Sequence, residues 1–204
     1  MANYGKIGLM NKTIVLASAS PRRKELLKRM GLKFKVKPAN IEENPGRTFL
    51  RKALKRVALE KAAAVAKQRK KGLIISADTV VVFKGIVYGK PGTVKKAVKM
   101  LSTLSGVTQS VWTAVAIIDK YSEKTMIRTA VSKIKMKHLS DTEIQYLSRK
   151  NLDKAGGYGI QEDDKFLTVL SGSRTNIVGL PTELLSKMLK SFGISANGIT
   201  KYRF

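Results

Sequence analysis

An α/β fold with a mixed sheet is what this sequence predicts, and three observations predict it. Short apolar runs suited to buried strands alternate with segments whose apolar residues recur at helical spacing, the pattern of a layered α/β domain. Two long strand segments, 107–118 and 125–136, are separated only by the turn 119–124, so they form a hairpin and the sheet cannot be wholly parallel. No internal repeat, low-complexity stretch or clear linker divides the 204 residues, a length that suits one domain with a sizeable core. We assign residues 1–12 to an N-terminal extension, 13–193 to a single α/β domain and 194–204 to a C-terminal tail.

The first element is a strand, Ile14 to Ala17, which leads through Ser18-Ala-Ser20 into a helix. Pro21 suits the first helical position because its missing N–H is not needed there, and Ser20 is the expected N-cap. Gly31 ends this helix. Phe34 to Val36 is a short strand, and 38–46 is a loop holding Glu42 and Glu43 in an otherwise basic region. A long helix is expected from Thr48 to Lys71, with Leu50, Leu54, Val57, Ala58 and Val65 on one face and Lys61 in the middle of that apolar arc. Residues 73–83 are nearly all apolar and rich in β-branched types, a central strand broken by Asp78, with a hairpin return over 85–88. Gly89-Lys-Pro-Gly92 is a turn that holds Lys90 beside a rigid proline.

Thr93 caps a helix to Ser105 with Val94, Ala97, Val98, Leu101 and Leu104 inward, and the long hairpin follows. Ser140-Asp-Thr-Glu143 has the pattern of a capping box and opens a helix to about Ser148. The glycine-dense stretch 152–161 permits close backbone approach to a ligand. A strand over 166–170 comes next, then Ser173 to Pro181 leads into a last helix over 182–191.

Composition excludes several kinds of chemistry. There is no cysteine and only one histidine, His138, which removes thiolate zinc sites, cysteine nucleophiles and multi-histidine metal sites. A metal here would be a hard ion held by carboxylates and phosphates. The first twelve residues lack the apolar run of a signal peptide, and no segment reaches the roughly 18–20 apolar residues of a membrane span, so a cytoplasmic protein is expected. The net charge of +26 favours anionic partners, but the basic residues are spread along the chain, as on a lysine-rich solvated surface.

Neither the P-loop nor the dinucleotide-binding glycine pattern occurs. What remains is dispersed. A strand that passes through small residues into a helix start makes an anion site, because unpaired amides and the positive dipole end face one point. Arg22 and Arg23 in that first turn would oppose the dipole unless an anion were present, and Arg23 shares a helix face with Leu26, Leu27 and Met30. With Lys61, Lys90, Asp78 and the acidic loop, this set suits a metal-bound polyphosphate attacked by water.

At these residues the sequence closely resembles the Maf family of nucleotide pyrophosphatases. The likeness runs through Leu16-Ala-Ser-Ala-Ser-Pro-Arg-Arg-Lys-Glu-Leu-Leu27, Ile41-Glu-Glu43, Lys61-Ala62, Ala77-Asp-Thr-Val-Val81, Gly89-Lys-Pro91 and Leu104-Ser-Gly106. It ends with Asp153-Lys-Ala-Gly-Gly-Tyr-Gly-Ile-Gln161 and Asn176-Ile-Val-Gly-Leu-Pro181. The resemblance implies a fold like that of the inosine triphosphate pyrophosphatases, with a long mixed sheet, two lobes around a cleft and often a homodimer. It also implies hydrolysis of a nucleoside triphosphate between the α- and β-phosphates with magnesium, or manganese or cobalt in its place. By motif, Ser18, Arg23, Lys61 and Lys90 would hold the triphosphate, Asp78 would be general base, and Glu43 with Asp78 would bind metal.

One branch of the family prefers dTTP and UTP and carries arginine after the proline, threonine after the aspartate and glutamine after Gly-Ile. Arg22, Thr79 and Gln161 stand at those places, so the resemblance is to that branch, with C5-modified uridine and pseudouridine triphosphates as further expected substrates. Gln161's amide can serve both the donor and acceptor edges of a pyrimidine. Two departures stand out: Gln109 lies near the place of a usual histidine, and Arg149-Lys-Asn151 replaces a usual Gly-Glu-Pro. The competing expectations are a basic nucleic-acid-binding protein, for which the charge alone speaks by weak non-specific binding, and a cell-division regulator on the same fold.

Overall fold

Strand β3 (Leu73–Phe83) is the axis of the molecule, and the sheet is built outward from it. On one side it pairs with β1 (Ile14–Leu16) in parallel, and β1 with β2 (Phe34–Val36) in parallel. On the other side it runs antiparallel to β5 (Thr108–Asp119), which continues to β6 (Thr125–Met136) and β7 (Leu167–Ser171), all antiparallel. The far end of β3 pairs with β4 (Ile86–Tyr88), giving a seven-stranded sheet in the order β2-β1-β3-β5-β6-β7 with β4 as a side branch. The computed structural model describes residues 12–42, 46–160 and 164–196.

Period-two alternation sorts the strands onto two faces. Leu16, Ile75, Ala77, Val81, Val111, Val115 and Ile134 point into one cluster. That cluster also takes Leu26 and Leu27 of α1 (Pro21–Arg29), Leu101 and Leu104 of α3 (Val94–Leu104) and Ile144 and Leu147 of α4 (Asp141–Lys150). Val15, Ala17, Ile74, Val80, Val82, Ala114 and Ala116 point the other way, onto Leu54, Ala58, Ala62 and Val65 of α2 (Arg51–Ala66). Fully buried leucines of this kind each contribute roughly 1.5–3 kcal/mol of transfer free energy.

The caps behave as the sequence predicts. Ser20 and Thr93 each accept from the backbone three residues on, and Ser140 with Glu143 forms the complete capping box. Helix α2 is shorter than its apolar arc. Thr48 is committed to an antiparallel bridge with Ile86 and the Phe49 amide donates to Gly85 O at 2.7 Å, so the helix starts only at Arg51. Leu50 therefore stands ahead of the helix and is 62% exposed rather than inward. At the other end Gln68 N and Arg69 N bond the carbonyls three residues back, and the chain tightens out of the helix after Ala66. Val94, first residue of α3, is likewise exposed.

A helix that the sequence did not suggest, α5 (Arg174–Val178), precedes α6 (Thr182–Lys190). Its five residues are too few to show a period. The Ser173 hydroxyl accepts from Thr175 N at 3.1 Å, and Gly179 closes it at φ 113°, a left-handed conformation open to glycine. Lys12, the last residue of the N-terminal extension, is fixed by Asp119 (2.8 Å) and by the Phe192 carbonyl (3.1 Å). Among the described residues no helix is long and apolar enough to cross a membrane.

Candidate active site

Strand β1 ends at Leu16, level with Ile75, and β4 joins β3 only from Val81, so the edge of β3 between them has neither neighbour. A cleft of about 310 Å³ straddles that edge. Ser18 to Arg23, Lys61, Thr79, Lys90 and residues 153–155 and 158–160 line it, with Ile177 to Gly179 closing one wall. Crevices of this sort, beyond the end of a parallel strand where the sheet changes direction, are where open α/β sheets hold ligands.

Alternation in β3 sends its two central polar residues apart. Asp78 faces α2, where Lys61 meets it: Nζ donates to Oδ1 at 2.6 Å, and both residues are 5% exposed. The apolar arc around Lys61 and the lone carboxylate in an apolar strand are thus two halves of one buried ion pair. Separately, either charge would be very costly to bury.

Thr79 faces α1 and α5. Arg23, in the first turn of α1, donates from Nε to Gly179 O (2.8 Å), from NH1 to Ser18 Oγ (3.3 Å) and from NH2 to Thr79 Oγ1 (3.1 Å). Three protein acceptors from separate segments therefore hold a guanidinium that the helix dipole alone would repel. Arg22 is answered by an actual anion: NH1 reaches Asp153 Oδ2 at 2.9 Å and NH2 the Asp153 carbonyl at 3.5 Å, across the cleft. Burial pushes the Asp153 carboxyl up, but the hydrogen bond and charge of Arg22, helped by Lys154, prevail and hold it below the usual carboxylate range.

Residues 153–155 and 158–160 of the glycine-dense stretch line the cleft. A 3₁₀ turn over Ala155–Gly157 carries Gly156 and Gly157 at positive φ, and the Gly156 amide donates to Gly89 O at 3.1 Å, so this loop and the turn bearing Lys90 support each other. Lys154 is buried on the cleft wall with Nζ donating to Asn151 Oδ1 at 2.6 Å. Asn151, at the departure from the family pattern, is therefore a structural acceptor for a cleft lysine. Gln109, the other departure, accepts from Tyr158 OH at 2.9 Å, and burial pushes that phenol up, keeping it a neutral donor.

Of the residues singled out by sequence, Ser18, Arg22, Arg23, Lys61, Thr79 and Lys90 line one cleft. Lys90 is exposed at the rim, and Asp78 lies directly behind Lys61. Glu43 and Gln161 fall outside the described residues. The structure gives a place to Thr113, which lies in no motif, and to Asn176, Asp153 and Lys154, which the sequence names only inside motif strings without a role. Thr113 and Asn176 are fully buried and bonded behind Thr79, and Asp153 and Lys154 were visible only as parts of a glycine-rich string. The available signal was a polar residue inside an apolar strand, the signal that found Asp78; Thr113 carries it more weakly because threonine is an ordinary strand residue.

Over most of its length the chain is similar to known proteins. The model of the Maf-like protein family matches residues 13–192. A dTTP/UTP pyrophosphatase of Elusimicrobium minutum is 41% identical over 181 residues, 88% of this chain and 98% of that protein. Those of Acetivibrio thermocellus and Syntrophomonas wolfei are 42% and 44% identical, over 89% and 87% of this chain and 96% of each relative. Among solved structures, a nucleoside-triphosphatase/dITP/XTP pyrophosphatase from Mycobacterium abscessus aligns over 89% of this chain and 96% of its own at a TM-score of 0.45 and 14% identity.

Proposed function

The chain belongs to the Maf family, and on that premise we propose that it is a dTTP/UTP pyrophosphatase, releasing pyrophosphate and the nucleoside monophosphate. The observation that carries this is the near full-length likeness, about 40% identical, to pyrophosphatases of that one specificity. The cleft is suited to such a substrate. Arg22, Arg23, Lys61, Lys90 and Lys154 bring positive charge to one space, where a triphosphate would be neutralised and aligned for in-line attack.

In this reading Ser18, Arg23, Lys61 and Lys90 hold the polyphosphate, Arg22 and Gln161 set the preference for a pyrimidine, and Thr79 belongs to the substrate site through its bond to Arg23. Asp78 is the general base. Its Oδ1 receives Lys61 Nζ, which leaves Oδ2 to take the proton of the attacking water, while Lys61 keeps the carboxylate oriented. The bond formed joins the water oxygen to the α-phosphorus, and the bond broken is that from the α-phosphorus to the α–β bridging oxygen, which leaves on pyrophosphate.

Among the described residues there is no cluster of three or more potential metal ligands. A carboxylate at hand is Asp78, which meets Lys61 through Oδ1, and one or two carboxylates suit magnesium, which completes its shell with substrate phosphates and water. Asp78 and Glu43 would hold it, and it would supply charge neutralisation on the phosphate oxygens.

The test is a panel of nucleoside and deoxynucleoside triphosphates with Mg²⁺ or Mn²⁺, reading pyrophosphate and orthophosphate separately. Pyrophosphate release from dTTP and UTP above the purine nucleotides is expected. Orthophosphate alone, or no turnover of any nucleotide, refutes the proposal. Asp78→Asn should lose turnover yet still bind UTP; near-normal turnover would remove Asp78 as base.

A further inference from the structure

Thr79 and Thr113 are register partners on β3 and β5. Thr113 is fully buried, and its hydroxyl lies 3.0 Å from that of Thr79 and 3.2 Å from the Asn176 carbonyl. Arg23 NH2 lies 3.1 Å from the other side of Thr79 Oγ1. Only one direction of the hydrogens makes all three of these contacts hydrogen bonds. Arginine only donates, a carbonyl only accepts, and each hydroxyl has one hydrogen to give. Arg23 therefore donates to Thr79, Thr79 to Thr113, and Thr113 to Asn176 O. The competing acceptor for the Thr79 hydrogen, Gly179 O, is farther at 3.4 Å and already takes Arg23 Nε at 2.8 Å.

The far end of the chain is anchored. The Asn176 side-chain amide donates to Val111 O (3.0 Å) and Ser132 Oγ (2.9 Å), tying α5 to β5 and β6.

We propose that Thr113 is a positioning residue for the substrate: through Thr79 it fixes the plane of the Arg23 guanidinium that meets the polyphosphate. The hydroxyl of Thr79 is thereby committed to protein partners, so the residue after Asp78 acts on substrate through Arg23 rather than by touching the base. This rests on the cleft being a nucleoside triphosphate site.

Thr113→Val keeps shape and β-branching and removes only the hydroxyl. Losing one neutral hydrogen bond in such a chain predicts a rise of about 3- to 10-fold in KM for UTP with kcat changed far less. Inorganic tripolyphosphate, which has no base, should weaken as an inhibitor by the same factor. Thr113→Ser restores both values. Thr113→Ala gives the same comparison where valine lowers the folded yield, judged by thermal melting. An unchanged KM, or a raised KM with unchanged tripolyphosphate inhibition, overturns the proposal, the latter because Thr79 would then be reading the base. A wild-type protein that turns over no nucleotide refutes the pyrophosphatase reading separately. In that case calorimetric binding of tripolyphosphate to wild type and Thr113→Val still decides the role of Thr113.

Discussion

Replacing Lys61 with methionine leaves the stem's volume in place and deletes the ammonium 2.6 Å from Asp78 Oδ1. Both residues are 5% exposed, so water cannot take over the lost contact without opening the packing of α2 on β3. Breaking a buried pair by removing one partner costs about 3–5 kcal/mol, a large share of the roughly 5–15 kcal/mol that holds a domain folded. For a chain of this length that is a fall in Tm of roughly 6–20 °C. The assay is urea unfolding followed through Trp112, the single tryptophan, whose ring lies 4.9 Å from that of Phe49 beside the start of α2. Asp78→Asn alone should cost less, since a neutral acceptor still faces Lys61. The double variant Lys61→Met/Asp78→Asn should be less destabilised than the sum of the two by about 2 kcal/mol or more, because the orphaned charge is gone. Additive costs, or a cost below about 1 kcal/mol for Lys61→Met, would refute the view that these two residues form one energetic unit.

Acid should loosen the far end of the hairpin first. Burial pushes the Asp119 carboxyl up, but hydrogen bonds from Lys12, Ser122 and the Tyr121 amide prevail and hold it below its ordinary value of 3.8. A carboxyl lowered in the folded state stabilises at pH above its unfolded value and loses that contribution as pH falls through the folded one. Asp119→Asn should therefore be less stable than wild type at neutral pH, with the difference shrinking below about pH 4 in pH-dependent melting curves. At Gly179, alanine would have to adopt φ 113° and bring its Cβ within 3.3 Å of Thr79 Oγ1. We expect a loss of about 1–2 kcal/mol in denaturant titration and a raised KM for UTP, since the Gly179 carbonyl holds Arg23.

Much of this molecule is legible in its sequence where the physics is local. Ser20, Thr93 and Ser140 mark helix starts because a side-chain oxygen satisfying an amide three residues on needs nothing from the rest of the fold. Helix ends are less legible. The arc that includes Leu50 is real on a helical projection, but the bridge between Thr48 and Ile86 lies in another segment and decides where α2 begins. The cleft's inner cations were visible as oddities, Lys61 in an apolar stripe and Arg23 on an inward face, while their partners were not. That Lys61 belongs to Asp78 follows from the packing of α2 across β3, and that Arg22 belongs to Asp153 joins residues 131 apart. Thr113 was silent because threonine is unremarkable in a strand, and only the register of β5 against β3 gives it a task; Asn176 stood in a motif, but its bonds to Val111 O and Ser132 Oγ depend on how α5 packs on the sheet.

The hydrogen bond from Arg23 to Gly179 spans 156 residues of chain. It makes the cleft depend on segments made at well-separated times. While the chain is being made, α1 and its arginines are synthesised 156 residues ahead of the carbonyl that holds Arg23. A chain cut before Gly179 thus leaves Arg23 without its Nε acceptor and the cleft without one wall, and it should bind polyanions less selectively. Contacts between such distant segments also close slowly. Regain of nucleotide turnover during refolding should therefore lag the regain of helix signal, so turnover reports completion of the whole fold.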